Sequence, residues 1–294
     1  MTEFVLVPGG WLGGWAWREV AAELRAAGHG AHPVTLTGLG DRRHLAGPQV
    51  GLSTHVEDVV AVLESEELTD AVVVGHSYGI LPATGAVDRV AERTARLVHL
   101  DSVVPQDGKS LLDLLVTPRQ AEEITAWVAE HGEGWRWPMP PVDQIDAIAR
   151  LDGVSWADRE RLARLGAPQP FGTATEPLRL TGAVLTVPAT GVFCTRNGNS
   201  IARAQELYDS GDPAYVGLAA RGITCFELDT GHWPMFSASA ELARVLCAAA
   251  AGHGHSLLPR RLGWAGRRDA RTNPRQLLTP QCDVGPPPCT HMPH

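Results

Sequence analysis

The stretch Val72-Val73-Val74-Gly75-His76-Ser77-Tyr78-Gly79 constrains the fold of this chain more than any other. An apolar, β-branched run bounded by glycine reads as a parallel strand covered on both faces. A G-x-S-x-G set between such a strand and a helix is a sharp corner that lifts its serine clear of the sheet. Side chains at Gly75 and Gly79 would collide across that turn, and the helix N-terminus favours negative charge beside Ser77. Pro82 falls in the first turns of the helix, where its missing N–H costs least.

On either side of this corner, short apolar runs alternate with amphipathic stretches. Strands are expected at 4–7, 31–36, 71–75, 96–100, 189–194 and 223–228. Helices are expected at about 15–27, 53–65, after Ser77, near 200–209 and from 237 to 251. Such alternation implies right-handed crossovers and a doubly wound, mostly parallel sheet, here of about six strands. Residues 105–185 break the rhythm with Leu, Trp and Pro, and suggest a cap of two or three helices. The core is therefore expected over 1–104 and 186–251 and the cap over 105–185. Residues 252–294, with six arginines, two acids and no periodicity, read as a disordered tail.

Composition narrows the function classes. A formal net charge of −8 argues against nucleic acid as a partner. No apolar run is long enough to span a membrane, and the N-terminus does not read as a signal peptide. The five cysteines are odd in number and lack a CxxC pair, which points to a reducing cytoplasm. "GHGH" and "CTHMPH" lack a full four-ligand spacing, so neither a metal nor another cofactor is expected.

The chemistry starts from Ser77 as nucleophile, which needs a base after a late strand. Of the twelve histidines, His232 in "FELDTGHWPM" alone lies between a late strand and the final helix. His76 reads as a packing and hydrogen-bonding residue, and His44 and His99 as structural or peripheral. A developing oxyanion needs two N–H donors. The first is Tyr78, after the nucleophile; the second comes from "VPGGWLGGW", assigned to Gly10 with Trp11 next in line. Gly9 and Gly10 let that backbone approach the reacting carbonyl.

"FVLVPGGWLGGWAWREVAAELRAAGH…LTGLGDR", "VVVGHSYG", "LDSVVP" and "ELDTGH", in this order, resemble the α/β-hydrolase superfamily. They resemble more narrowly its branch of plant methylesterases, hydroxynitrile lyases and bacterial esterase relatives, over roughly residues 3–251. The resemblance implies an acid on the loop after the penultimate strand. That loop, "CTRNGNSIARAQ" (194–205), offers Arg196, Asn197 and Asn199 but no carboxylate before Glu206. Asp229 stands too close to His232 in sequence to buttress it, which leaves Asp101, at the end of "RLVHL", as the third member. Its alternative reading is an anchor for loop N–H groups. The lyases carry lysine after the catalytic histidine and threonine in the oxyanion loop; Trp233 and Gly9 occupy those positions here, which disfavours lyase chemistry.

The resulting expectation is a serine carboxylesterase for a small to medium apolar or aromatic ester. The alternatives are natural-product tailoring on the same site and a non-catalytic ligand-binding protein. Gly9, Trp11, Trp135, Trp137 and Trp233 are expected to line the pocket, although the cap tryptophans, Trp127 included, read equally well as cap core.

Overall fold

The computed structural model describes residues 1–257. Every residue of β3 (Ala71–His76) is buried, and its valines divide by alternation between two apolar layers. Val73 joins Val5 and Val7 of β1 (Glu3–Val7) and Leu97 of β4 (Thr94–Leu100) in one layer. Val72 and Val74 join Phe4, Leu6, Val98 and Leu100 in the other. A strand projects side chains with period two, so both layers can be dry only if helices cover both faces. α1 (Arg18–Ala26) and α12 (Ser239–Ala250) cover one face; α2 (Leu52–Ser65) and α3 (Ile80–Arg89) cover the other.

The remaining strands of this sheet are β2 (Gly30–Pro33), β7 (Ala189–Cys194), β8 (Thr224–Leu228) and β9 (His255–Ser256). The order is β2-β1-β3-β4-β7-β8-β9, parallel throughout except for the β8–β9 pair. The chain goes outward from β1 to β2 and then returns to β3, so strand order reverses between β1 and β3. In open α/β sheets the crevice at the carboxyl ends beside such a reversal is where ligands bind. α9 (Ile201–Asp209) and α10 (Pro213–Ala220) link β7 to β8, and α11 (Pro234–Ser237) precedes α12.

The fold is an α/β-hydrolase fold, with the six expected strands in place and a seventh, β9, added at the edge. Two residues are too few for periodicity to register. β9 falls in the stretch expected to be tail, and Leu257 beyond it is buried against the β7–β8 edge. The rest of that expected tail, with "CTHMPH", lies outside the described residues.

Between β4 and β7 the chain is more divided than expected. It forms α4 (Leu111–Leu115), α5 (Pro118–His131), α6 (Val142–Ile145), α7 (Trp156–Leu165) and α8 (Gly172–Thr175). An antiparallel ribbon of β5 (Arg136–Trp137) and β6 (Gln169–Pro170) ties the two ends of this region together. α5 and α7 start where sequence rules place them: the Thr117 and Ser155 side chains accept the N–H of Gln120 and Asp158. The ribbon joins residues more than thirty apart, which local patterning does not register. Among the described residues no helix is long and apolar enough to cross a membrane, and no group of three or more His, Cys, Asp or Glu side chains is gathered for a metal.

Candidate active site

Three residues at the carboxyl ends of β1, β3 and β4 hold left-handed backbone conformations without being glycine: Trp11 at φ +64°, Ser77 at φ +50° and Asp101 at φ +43°. Such conformations cost of order 1–3 kcal/mol each and persist where the surroundings enforce them. At Ser77 part of the enforcement is local. A Cβ on Gly75 would lie 2.5 Å from Ile80 Cα, directly across the turn. Gly79 answers a different need from the one expected: a Cβ there would collide with the Pro8 carbonyl, so this glycine lets the elbow close on the end of β1.

The loop after β1 presses equally hard on the elbow. A Cβ on Gly9 would stand 2.7 Å from His76 Nδ1 and 3.2 Å from Ser77 Cβ, whereas Gly10 faces Tyr78 Cβ at 3.9 Å. The Trp11 N–H is already engaged, donating to Oε1 of the buried Gln169 at 3.0 Å. Gln169 Nε2 in turn donates to Thr173 Oγ1 at 2.8 Å. Beneath the elbow, His55 Nε2–H donates to the Thr37 carbonyl at 2.8 Å, which fixes its tautomer, so Nδ1 accepts from Tyr78 Oη at 2.7 Å. Burial pushes His55 down to about 4 and His76 down to about 3, so both are neutral at pH 7. His76 Nε2–H donates to the His232 carbonyl at 2.8 Å, which fixes the backbone of the base's loop.

His232 itself is half-buried, and its Nδ1 lies 2.6 Å from Oδ2 of the fully buried Asp101 carboxylate. Asn197 Nδ2 donates to the same oxygen at 2.8 Å. Oδ1 accepts from the Cys194 N–H at 3.1 Å and from Asn199 Nδ2 at 2.7 Å. Burial alone would raise the Asp101 carboxyl, but the hydrogen bonds and charge of His232, with those of Asn199 and Cys194, hold it below the usual range. An ionised Asp101 accepts only, so the proton of this bond lies on His232 Nδ1. The loop 194–199, which lacks a carboxylate of its own, thus supplies donors to a carboxylate on the neighbouring strand. Asp229 points elsewhere: it is exposed and receives the Arg196 guanidinium through two hydrogen bonds at 2.9 and 2.8 Å.

Asp101 and His232 are therefore joined, and the ring of His232 stands 4.8 Å from that of His76, the residue before Ser77. Among the described residues Ser77 Oγ and His232 make no hydrogen bond to each other; such bonds are often long before substrate arrives. Of the tryptophans expected at the pocket, Trp11 and Trp137 meet edge to face at 5.3 Å, and Trp11 Nε1 donates to the Trp137 carbonyl. Trp135 is half-buried, with Arg136 lying over its ring at 4.4 Å. Trp233 is only 2 % exposed and donates its indole N–H to the Ala149 carbonyl, packing behind His232. Gln169 and His55 gave no signal in the sequence, since their roles depend on partners far along the chain.

The model of the alpha/beta hydrolase family matches residues 4–245. The chain is 40% identical to the carbendazim hydrolyzing esterase of Nocardioides sp. (strain SG-4G), covering 84% of this chain and 99% of that one. It is 34% identical to the probable esterase PIR7A of Oryza sativa subsp. indica, over 37% of this chain and 41% of the relative. Among solved structures, an extracellular alpha/beta-hydrolase from a Paenibacillus species superposes with a TM-score of 0.68 at 21% identity, covering 85% of this chain and 99% of the other. Tomato methylketone synthase I does so at 0.62 and 18% identity, over 85% and 98%.

Proposed function

Because the chain belongs to the alpha/beta hydrolase family, we propose that it is a serine carboxylesterase acting on small to medium, apolar or aromatic esters. Ser77 Oγ attacks the ester carbonyl as His232 Nε2 takes its proton. Asp101, accepting the Nδ1–H, holds the imidazole in that tautomer and stabilises the imidazolium. The N–H groups of Tyr78 and Gly10 receive the oxyanion; the Trp11 amide, next in line on this loop, is engaged by Gln169. The imidazolium then protonates the leaving alcohol, and water, deprotonated by the same nitrogen, releases the acid from the serine.

The observation that carries this reading is the 2.6 Å bond between His232 and a buried, four-fold hydrogen-bonded carboxylate. Gly9 and the Trp11–Trp137 pair would wall the acyl or alcohol pocket, Trp135 would stand further out, and Trp233 would back the base from within the core. The 40% identical esterase acts on carbendazim by its name, so carbendazim belongs beside p-nitrophenyl acetate and butyrate in the substrate panel. Labelling by a fluorophosphonate probe is expected for the wild type and not for Ser77→Ala. A wild-type protein that resists the probe and turns over no ester overturns the proposal.

A further inference from the structure

The amide of Asn197 touches three parts of the molecule at once. Its Oδ1 accepts the Arg150 N–H at 3.1 Å, and its Nδ2 donates to Asp101 Oδ2 at 2.8 Å. The same Nδ2 lies 3.2 Å from His232 Nδ1. Two nitrogens that both carry hydrogen cannot bond to each other, so both N–H groups must converge on Asp101 Oδ2. Turning the amide over would set Oδ1 against the carboxylate and offer His232 Nδ1–H a competing acceptor. The Arg150 N–H opposes that turn, because it needs an acceptor at this position.

Arg150 belongs to the region between β4 and β7, and its neighbours grip the base's loop as well. The His232 N–H donates to the Arg150 carbonyl at 2.8 Å, the Gly231 N–H to the Asp152 carbonyl at 3.3 Å, and Trp233 Nε1 to the Ala149 carbonyl at 3.2 Å. The approach is so close that a Cβ on Gly231 would run into the Arg150 carbonyl. The turn is held from within by the Leu151 N–H on Asp146 Oδ1 at 2.7 Å.

We propose that Asn197 is a positioning residue: it holds the Asp101–His232 pair in the tautomer that leaves Nε2 free for Ser77, and its own orientation is set by segment 149–152 of the cap. The inference rests on the triad reading above. It assigns a catalytic consequence to a residue that touches neither substrate nor nucleophile, and it makes this cap segment part of the frame of the site.

The test compares Asn197→Leu, which is nearly isosteric, with Asp101→Asn and with the exchange variant Asp101→Asn/Asn197→Asp, using p-nitrophenyl butyrate. For Asn197→Leu, kcat is expected to fall about 10- to 100-fold, the worth of a hydrogen bond to a charged group, while KM stays within about twofold. The downfield proton resonance of His232 Nδ1–H is expected to broaden or vanish in this variant. The exchange variant places a carboxylate where Nδ2 now stands near Nδ1, and is expected to exceed Asp101→Asn by on the order of tenfold in kcat. Wild-type kcat and an unchanged resonance in Asn197→Leu overturn the proposal, as does an exchange variant no faster than Asp101→Asn. If Asn197→Leu fails to fold, the exchange variant decides alone. Failure of the wild type to react with fluorophosphonate strikes the triad reading instead, so the two failures are distinguishable.

Discussion

Ser77 and Asp101 are each the first residue past paired neighbours on adjacent parallel strands, since His76 stands opposite Leu100. Both adopt left-handed backbone conformations, and both are members of the proposed triad. They are built in opposite ways. The serine's turn is specified largely within its own motif, by Gly75 and the helix that follows, with Gly79 letting it close on the end of β1. The aspartate's turn is specified from far away, by Val192 receiving its N–H and by Cys194, Asn197 and Asn199 donating to its carboxylate. A strained conformation can thus be coded locally or imposed by tertiary contacts, and only the first kind leaves a motif.

The comparison can be broken at either end. Ser77→Ala removes the nucleophile, and kcat is expected to fall by on the order of 10⁶-fold with the fold intact, measured by burst-free ester turnover and circular dichroism. Next in size, a Cβ added at the elbow should disturb the fold itself. Gly79→Ala is expected to lower stability by about 1–3 kcal/mol in urea unfolding, because the Pro8 carbonyl must move aside. At the other turn, Asn199→Ala leaves the backbone alone and removes one of four donors. It is expected to reduce kcat about tenfold or more while unfolding shifts by about 1.5–3 kcal/mol at most. Wild-type stability in Gly79→Ala, or wild-type kcat in Asn199→Ala, would erase the distinction between the two turns.

A smaller and more diffuse effect follows from pH. Burial depresses His55 to about 4, and His76 and His99 to about 3, whereas unfolded histidine titrates near 6.5. The unfolded chain therefore binds more protons in this window, so stability is complete above about 6.5 and declines as pH falls toward the folded values. Each of the three contributes up to about 1.4 kcal/mol per pH unit. Urea midpoints are expected to fall steadily from pH 7 to pH 5; a flat profile would show these histidines to be solvated. Asp101, held below the usual carboxylate range, adds its own loss only in stronger acid.

The same contrast explains what the sequence reveals. The central strands of the sheet were legible as buried apolar runs. Ser77 and His232 stood out as candidates because a G-x-S-x-G between strand and helix and a late histidine after a strand are visible in the sequence. Asp101 was reached by elimination, and the structure supplies the reason that elimination could not: two asparagines of the emptied loop turn toward it. Gln169 stayed hidden because it meets Trp11 across 158 residues. Trp233 is an aromatic beside His232, yet patterning cannot tell a pocket wall from a core residue, and this one is buried. The edge strand β9 and the β5–β6 ribbon are too short for any periodicity to accumulate.

The central claim, that the acid comes from the end of β4, is tested most directly by kcat/KM of Asp101→Asn against Asp229→Asn with p-nitrophenyl butyrate. Asp101→Asn is expected to lose on the order of 10⁴-fold, since its amide would leave His232 in the wrong tautomer. Asp229→Asn, which gives up only an exposed pair with Arg196, is expected to stay within about twofold. Near-wild-type turnover by Asp101→Asn, or a comparable collapse in Asp229→Asn, would contradict the account.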